Sequence, residues 1–121
     1  MGYTLIVDDE PEIARLIAIT LSGIQIPTRI AYDGEEAMAF INQELPDLIL
    51  LDLMMPRMSG FQLFAYLKNT PETSHIPIIV VSAYTDRDDH AGLRGAARIM
   101  SKGSFGAADI REAVISVLGL T

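Results

Sequence analysis

Asp8 and Asp9, Asp52, Ser82, and Lys102 all stand at or just after the ends of short apolar runs. Carboxylates, a hydroxyl and an ammonium are the groups that phosphoryl transfer needs. A carboxylate can attack phosphorus and form an acyl phosphate. A metal ion, an ammonium and a hydroxyl together neutralise the charge that develops on the three transferred oxygens. Two carboxylates about 4 Å apart repel by about 4 kcal/mol at an effective dielectric of about 20. Gathering Asp8, Asp9 and Asp52 therefore requires a cation or a raised pKa. A hard divalent ion meets that need, because Mg²⁺ takes oxygen ligands and usually keeps several waters while sharing a phosphate with the protein. Any one of these residues could be only a strand end or a helix cap. A set in which every polar terminator suits the same chemistry is harder to explain that way.

The elements that must position them alternate along the chain. Apolar runs at Thr4 to Val7, Thr28 to Ala31, Leu48 to Leu51, Ile78 to Val81 and Arg98 to Ser101 read as strands. Leu48 to Leu51 and Ile78 to Val81 are apolar without alternation, as strands buried on both faces require. Between them lie segments of helical period. Asp9 to Ser22 carries Ile13, Leu16, Ile17 and Leu21 on one face, with Pro11 suited to the first turn and Gly23 to the stop. Asp33 with Glu36, and Ser59 with Gln62, have capping-box spacing and open two further helices. Thr70-Pro71 closes the second of these, and a last helix carries Ile110, Val114, Val117 and Leu118. Alternation of this kind predicts an α/β fold, a parallel sheet with helices on both faces and right-handed connections. In such sheets ligands bind beyond the carboxyl ends of the strands, which is where the five candidates fall.

A chain of 121 residues, 50% hydrophobic, is the size of one domain with a sizeable core, so residues 1–121 are expected to form a single domain. No apolar stretch is long enough to cross a bilayer, and the amino terminus lacks a basic-then-apolar signal pattern, so the expectation is a cytoplasmic protein without a membrane partner. With no cysteine, disulfides and thiolate chemistry are excluded. A net charge of −7 argues against direct nucleic-acid binding.

The residues resemble a known family, the receiver domains of bacterial two-component response regulators, also called CheY-like. Asp8-Asp9-Glu10-Pro11 is similar to the family's acidic pair, Asp52-Leu53-Met54-Met55-Pro56 with Ser59-Gly60 to its phosphoacceptor loop, and Ser82-Ala83 and Lys102 complete the set over the whole chain. The resemblance implies a flavodoxin-like, doubly wound sheet of strand order 2-1-3-4-5, an order that general fold rules already attach to this family. It implies that Asp52 is phosphorylated by a histidine kinase or a histidine phosphotransfer protein, and that the chain then switches binding to a downstream effector protein or domain. Asp9, Asp52 and the Met54 backbone carbonyl would hold Mg²⁺ or Mn²⁺, with Asp8 acting through water. Ser82 and Lys102 would bind the phosphoryl oxygens. Such a chain is a signalling phosphoacceptor that promotes its own phosphorylation and slow dephosphorylation, and is not otherwise an enzyme.

Several positions depart from the family pattern. Gly103 follows Lys102 where the family usually has proline, and a trans bond is expected there, since a cis bond without proline costs about 3 to 4 kcal/mol. Ile99 takes the place of an aromatic residue that serves the family as a switch. Met54 and Tyr84, two beyond Asp52 and Ser82, are bulky and neither acid nor amide, so slow loss of phosphate is expected. Lys102 follows Ser82 by only 20 residues, a shorter interval than is usual. The weakly helical stretch Asp86 to Leu93 lies in that interval, so the fourth of five helices is expected to be short or mobile. Met54, Met55 and Met58 read as loop packing, and His75 and His90 as surface residues. Two alternatives stand beside the receiver reading. One is a degenerate receiver used only as a protein-binding module. The other is a haloacid-dehalogenase-like phosphatase, whose motif needs a second Asp where Met54 stands.

Overall fold

The computed structural model describes residues 2–83, 92–103 and 106–120. Its elements are β1 (Thr4–Val7), α1 (Pro11–Ser22), β2 (Thr28–Ala31), α2 (Gly34–Gln43), β3 (Leu48–Leu51), α3 (Gly60–Lys68), β4 (Ile78–Ser82), β5 (Arg98–Ser101) and α4 (Ala107–Leu118). The strands form one parallel sheet of order β2-β1-β3-β4-β5, the order implied by the resemblance. Val7 opposes Ala31 and Leu51, and Ser82 opposes Ser101, while Leu51 opposes Val80, so β4 and β5 run two residues past the end of β3. The residues that leave these strands therefore meet on one rim.

Side-chain alternation along the strands feeds two cores. Leu5, Val7, Ile49, Leu51, Ile78 and Val80 face Ala37, Ile41, Leu63, Phe64 and Leu67 of α2 and α3. Ile6, Leu48, Leu50, Ile79 and Val81 face Ala14, Ile17 and Leu21 of α1 and Ile110, Ala113 and Val114 of α4. That is why β1, β3 and β4 are buried at every position, whereas the edge strands β2 and β5 are only partly covered. Each edge carries an arginine tied to a neighbouring element. Arg29 of β2 lies 4.7 Å from the Phe40 ring centre and 5.8 Å from that of Tyr3, and Arg98 of β5 pairs with Glu112 of α4 at 2.6 Å.

Local signals account for most helix ends. Asp33 caps α2 by accepting from the Glu36 N–H at 2.7 Å, and Ser59 and Gln62 close a reciprocal capping box on α3. Gly119, with φ 71°, ends α4 in the left-handed region. Gly23 ends α1 with right-handed φ instead, and the positive φ falls two residues later on Gln25. One inward residue was misjudged from periodicity. Leu16 is 46% exposed, whereas Thr20 is buried with its hydroxyl satisfied by donating to the Leu16 carbonyl at 2.8 Å.

Of the stretch joining β4 to β5, residues 84–91 lie outside the described residues, so the expectation of a short or mobile fourth helix over Asp86 to Leu93 falls largely there, as do Tyr84 and His90. The described end holds Gly92 and Leu93 in a tight 3-10 turn, with Leu93 buried and its carbonyl accepting from Ala96 N–H at 3.0 Å. No described helix is long and apolar enough to cross a membrane.

Candidate functional site

Asp52 leaves β3 with its N–H donated to the Val7 carbonyl at 2.9 Å, so its side chain projects from the rim beside β1. Its Oδ1 accepts from Met54 N–H at 3.2 Å. Among the described residues its Oδ2 is buried with no hydrogen bond, and Lys102 Nζ is 3.4 Å away. Asp8 leaves β1 in the same manner, N–H to the Ala31 carbonyl at 3.0 Å, and its Oδ1 accepts from Glu10 N–H at 2.9 Å. Ser82 ends β4, 1% exposed, and its carbonyl accepts from Lys102 N–H at 2.9 Å, which ties the β5 exit to the β4 exit. Lys102 then turns back over the rim. Its side chain is 9% exposed, with Nζ 2.7 Å from Glu10 Oε1 and 2.9 Å from Asp8 Oδ2.

The loop after Asp52 is held from three sides. Gly60 N–H donates to the Leu53 carbonyl at 3.0 Å, and a side chain there would run into the Asp52 carbonyl oxygen and come within 2.5 Å of Leu53 Cα. Only glycine allows the start of α3 to approach the backbone of Asp52 and Leu53 so closely. Met55 and Met58 pack against the core, as expected, while Met54 is 57% exposed. Arg57, at φ 64°, reaches Asp33 Oδ2 at 3.2 Å and links the loop to the cap of α2.

Burial dominates the electrostatics. It pushes Asp52 up to about 6, reinforced by the Asp8 charge and only partly offset by Lys102 and the Met54 N–H. Burial likewise raises Asp8, against the bond from Glu10 N–H and the Lys102 ammonium. For Lys102 burial acts downward, but its hydrogen bonds to Glu10 and Asp8 and the Asp8 and Asp52 charges outweigh it, so the ammonium is held more firmly than in water.

Asp8, Asp9, Glu10 and Asp52 each place a carboxylate oxygen within 4.8 Å of the others. Four acidic groups gathered here, only three of them within reach of the one ammonium, with a buried carboxylate oxygen that makes no hydrogen bond among the described residues, fit a hard divalent cation at this rim. The structure thus brings together Asp8, Asp9, Asp52 and Lys102, with Ser82 on the adjoining strand end. Ile99 sits on the β5 edge, 39% exposed, and Gly103 is exposed just past Lys102 across a trans bond. His75 is exposed in the α3–β4 connection, at the other end of the sheet. Sequence reasoning assigned no role to Glu10. Its partner is 92 residues away, and no local pattern announces it.

The family model for the response regulator receiver domain matches residues 4–115. The response regulator PleD of Caulobacter vibrioides is 40% identical over 100 residues, covering 81% of this chain and 22% of that protein. This chain therefore spans about a fifth of that relative's length. Among solved structures, the signal receiver domain of a histidine kinase from Syntrophus aciditrophicus is 30% identical with a TM-score of 0.88, covering 98% of this chain and 91% of that one. The response regulator TrrA of Thermotoga maritima, solved with Mg²⁺ and BeF, is 28% identical with a TM-score of 0.86, covering 97% of this chain and 99% of that one. A parallel sheet wound in this order, an acidic rim closed by a lysine and a match along nearly its whole length make this chain a member of the response regulator receiver domain family of two-component systems.

Proposed function

We propose that Asp52 is the phosphoacceptor, taking a phosphoryl group from a histidine kinase or histidine phosphotransfer protein. The observation that carries this reading is the Asp52 Oδ2 atom, buried without a hydrogen bond and 3.4 Å from a lysine that is itself almost enclosed. That oxygen has a lone pair to spend on phosphorus. As its P–O bond forms, the P–N bond to the donor histidine breaks and the electron pair leaves with the imidazole.

Asp8, Asp9, Asp52 and the Met54 carbonyl would hold Mg²⁺ or Mn²⁺, as the TrrA complex with Mg²⁺ and BeF supports by likeness. When bound, the cation offsets carboxylate repulsion and polarises the phosphoryl oxygens. Lys102 supplies a fixed positive charge, firmly protonated, and the Ser82 hydroxyl a donor to a second oxygen. Met54, exposed beside the acceptor, limits the approach of water without acting as a base, which favours a long-lived acyl phosphate. Phosphorylation would then alter binding to a downstream effector protein or domain. In this reading residues 1–121 form one signalling domain acting in the cytoplasm.

Intact-mass measurement after incubation with a small phosphodonor tests it. One added phosphoryl group is expected with Mg²⁺ and none without, and Asp52→Asn should gain none. Undiminished labelling of Asp52→Asn would refute the assignment.

A further inference from the structure

We propose that Glu10 is a positioning residue that clasps Lys102 in the resting protein, and that releasing this clasp sets how readily Lys102 engages a phosphoryl group on Asp52. The inference rests on the phosphoacceptor reading above and deepens it.

One ammonium is shared unequally among three carboxylates. Nζ is 2.7 Å from Glu10, 2.9 Å from Asp8 and 3.4 Å from Asp52. The group that most needs the lysine during phosphoryl transfer is the one that it serves least at rest. All three belong to the acidic cluster that fits a cation, but Asp8 and Asp52 are buried beside the lysine while Glu10 is exposed, so Glu10 is the partner that can let go of Lys102.

Glu10 is placed for this role. It occupies the N-cap of α1, where a side chain normally accepts from the helix's own N–H groups, yet it makes no such bond. Its backbone N–H is anchored on Asp8 Oδ1 at 2.9 Å, and its carboxylate crosses the rim to a residue 92 positions away. The Glu10 side chain is 59% exposed, while Lys102 is 9% exposed. Solvent therefore screens the pair, and an exposed ion pair is worth up to about 1 kcal/mol. That is a clasp weak enough to open and strong enough to bias a two-way competition about twofold to fivefold.

The test uses the full chain with Glu10→Gln and Glu10→Asp. Asp is one methylene too short for the 2.7 Å contact, keeps the charge, and is itself a good helix cap. Three quantities are read: the Lys102 ammonium signal by ¹⁵N NMR without divalent ions, Mg²⁺ affinity by calorimetry, and beryllofluoride affinity at saturating Mg²⁺. Both variants are expected to shift the Lys102 signal and to bind beryllofluoride about twofold to fivefold more tightly. Only Glu10→Gln, which removes a charge from the acidic cluster, is expected to weaken Mg²⁺ binding. If Glu10→Asp matches the wild type in both the lysine signal and beryllofluoride affinity, the effect is one of net charge and the clasp is overturned. Unchanged or weaker beryllofluoride binding in both variants overturns it as well. Failure of the wild type to bind beryllofluoride at all, even with Mg²⁺, overturns the phosphoacceptor reading itself.

Discussion

Gly60 stands against Leu53 so closely that its N–H reaches the Leu53 carbonyl at 3.0 Å while the place of a Cβ lies 2.5 Å from Leu53 Cα. The first turn of α3 thus seats the backbone of the loop that follows Asp52. Because the obstructing atoms are backbone and cannot swing aside, Gly60→Ala should cost about 1 to 3 kcal/mol, as overpacking does. A urea midpoint equal to the wild type's would show that α3 can retreat freely. Phosphorylation of the same variant should slow, since Met54 N–H and Asp52 move together.

Asp52 gives a pH dependence with a definite sign. Its pKa rises from 3.8 to about 6 on folding, mainly through burial, so the folded protein holds this proton more tightly than the unfolded chain. The stability it contributes is complete below 3.8 and is lost as pH climbs through about 6, at up to about 1.4 kcal/mol per unit. Without divalent ions, Asp52→Asn should therefore be more stable than the wild type at pH 7, by about 1 to 3 kcal/mol. That advantage should shrink towards pH 4. Denaturation curves at both pH values check it, and a constant difference would contradict a raised pKa.

Arg57 combines a cost with a gain. A left-handed residue other than glycine costs about 1 to 2 kcal/mol, whereas its ion pair with Asp33, 67% exposed on the arginine side, is worth less than about 1 kcal/mol. Arg57→Gly should leave stability unchanged or slightly higher, since glycine's own entropic cost of about 0.5 to 1 kcal/mol offsets part of the relief. Arg57→Ala keeps the strain, loses the ion pair, and should be the less stable of the two by thermal melting.

Thr4 is 1% exposed, and its Oγ1 makes no hydrogen bond among the described residues. A buried hydroxyl left unsatisfied costs about 1 to 3 kcal/mol, and valine has nearly the same shape. Thr4→Val should accordingly stabilise the domain by about 1 kcal/mol. A loss of stability in urea titration would mean that the hydroxyl is bonded in solution.

The strands and the acidic rim were legible in the sequence because each depends on neighbours along the chain. Apolar runs such as Leu48 to Leu51 announce burial on both faces, and the residue that ends the run must emerge at the rim. Capping boxes at Asp33 and Ser59 were readable for the same reason. What escaped was decided by contacts between distant segments or by a hydrogen bond that changes a residue's polarity. Thr20 tolerates burial because its hydroxyl is satisfied within the helix, while Leu16, which periodicity assigned to the inner face, is exposed. Glu10 reads as a plain helix start in the sequence, and only the fold brings Lys102 beside it.

The two arginines on the outer strands bear on behaviour at high concentration. An open strand edge is a template for pairing with another chain, and charge along it is one of the ways proteins discourage aggregation. Here Arg29 is stacked on Phe40 and Arg98 is paired with Glu112, so each must give up a contact to swing away when a second molecule approaches. An incoming strand would have to bury a guanidinium or pull it off its partner. The sheet therefore guards both of its flanks with side chains other than those of the acidic rim, so edge protection and the rim's charge can change independently.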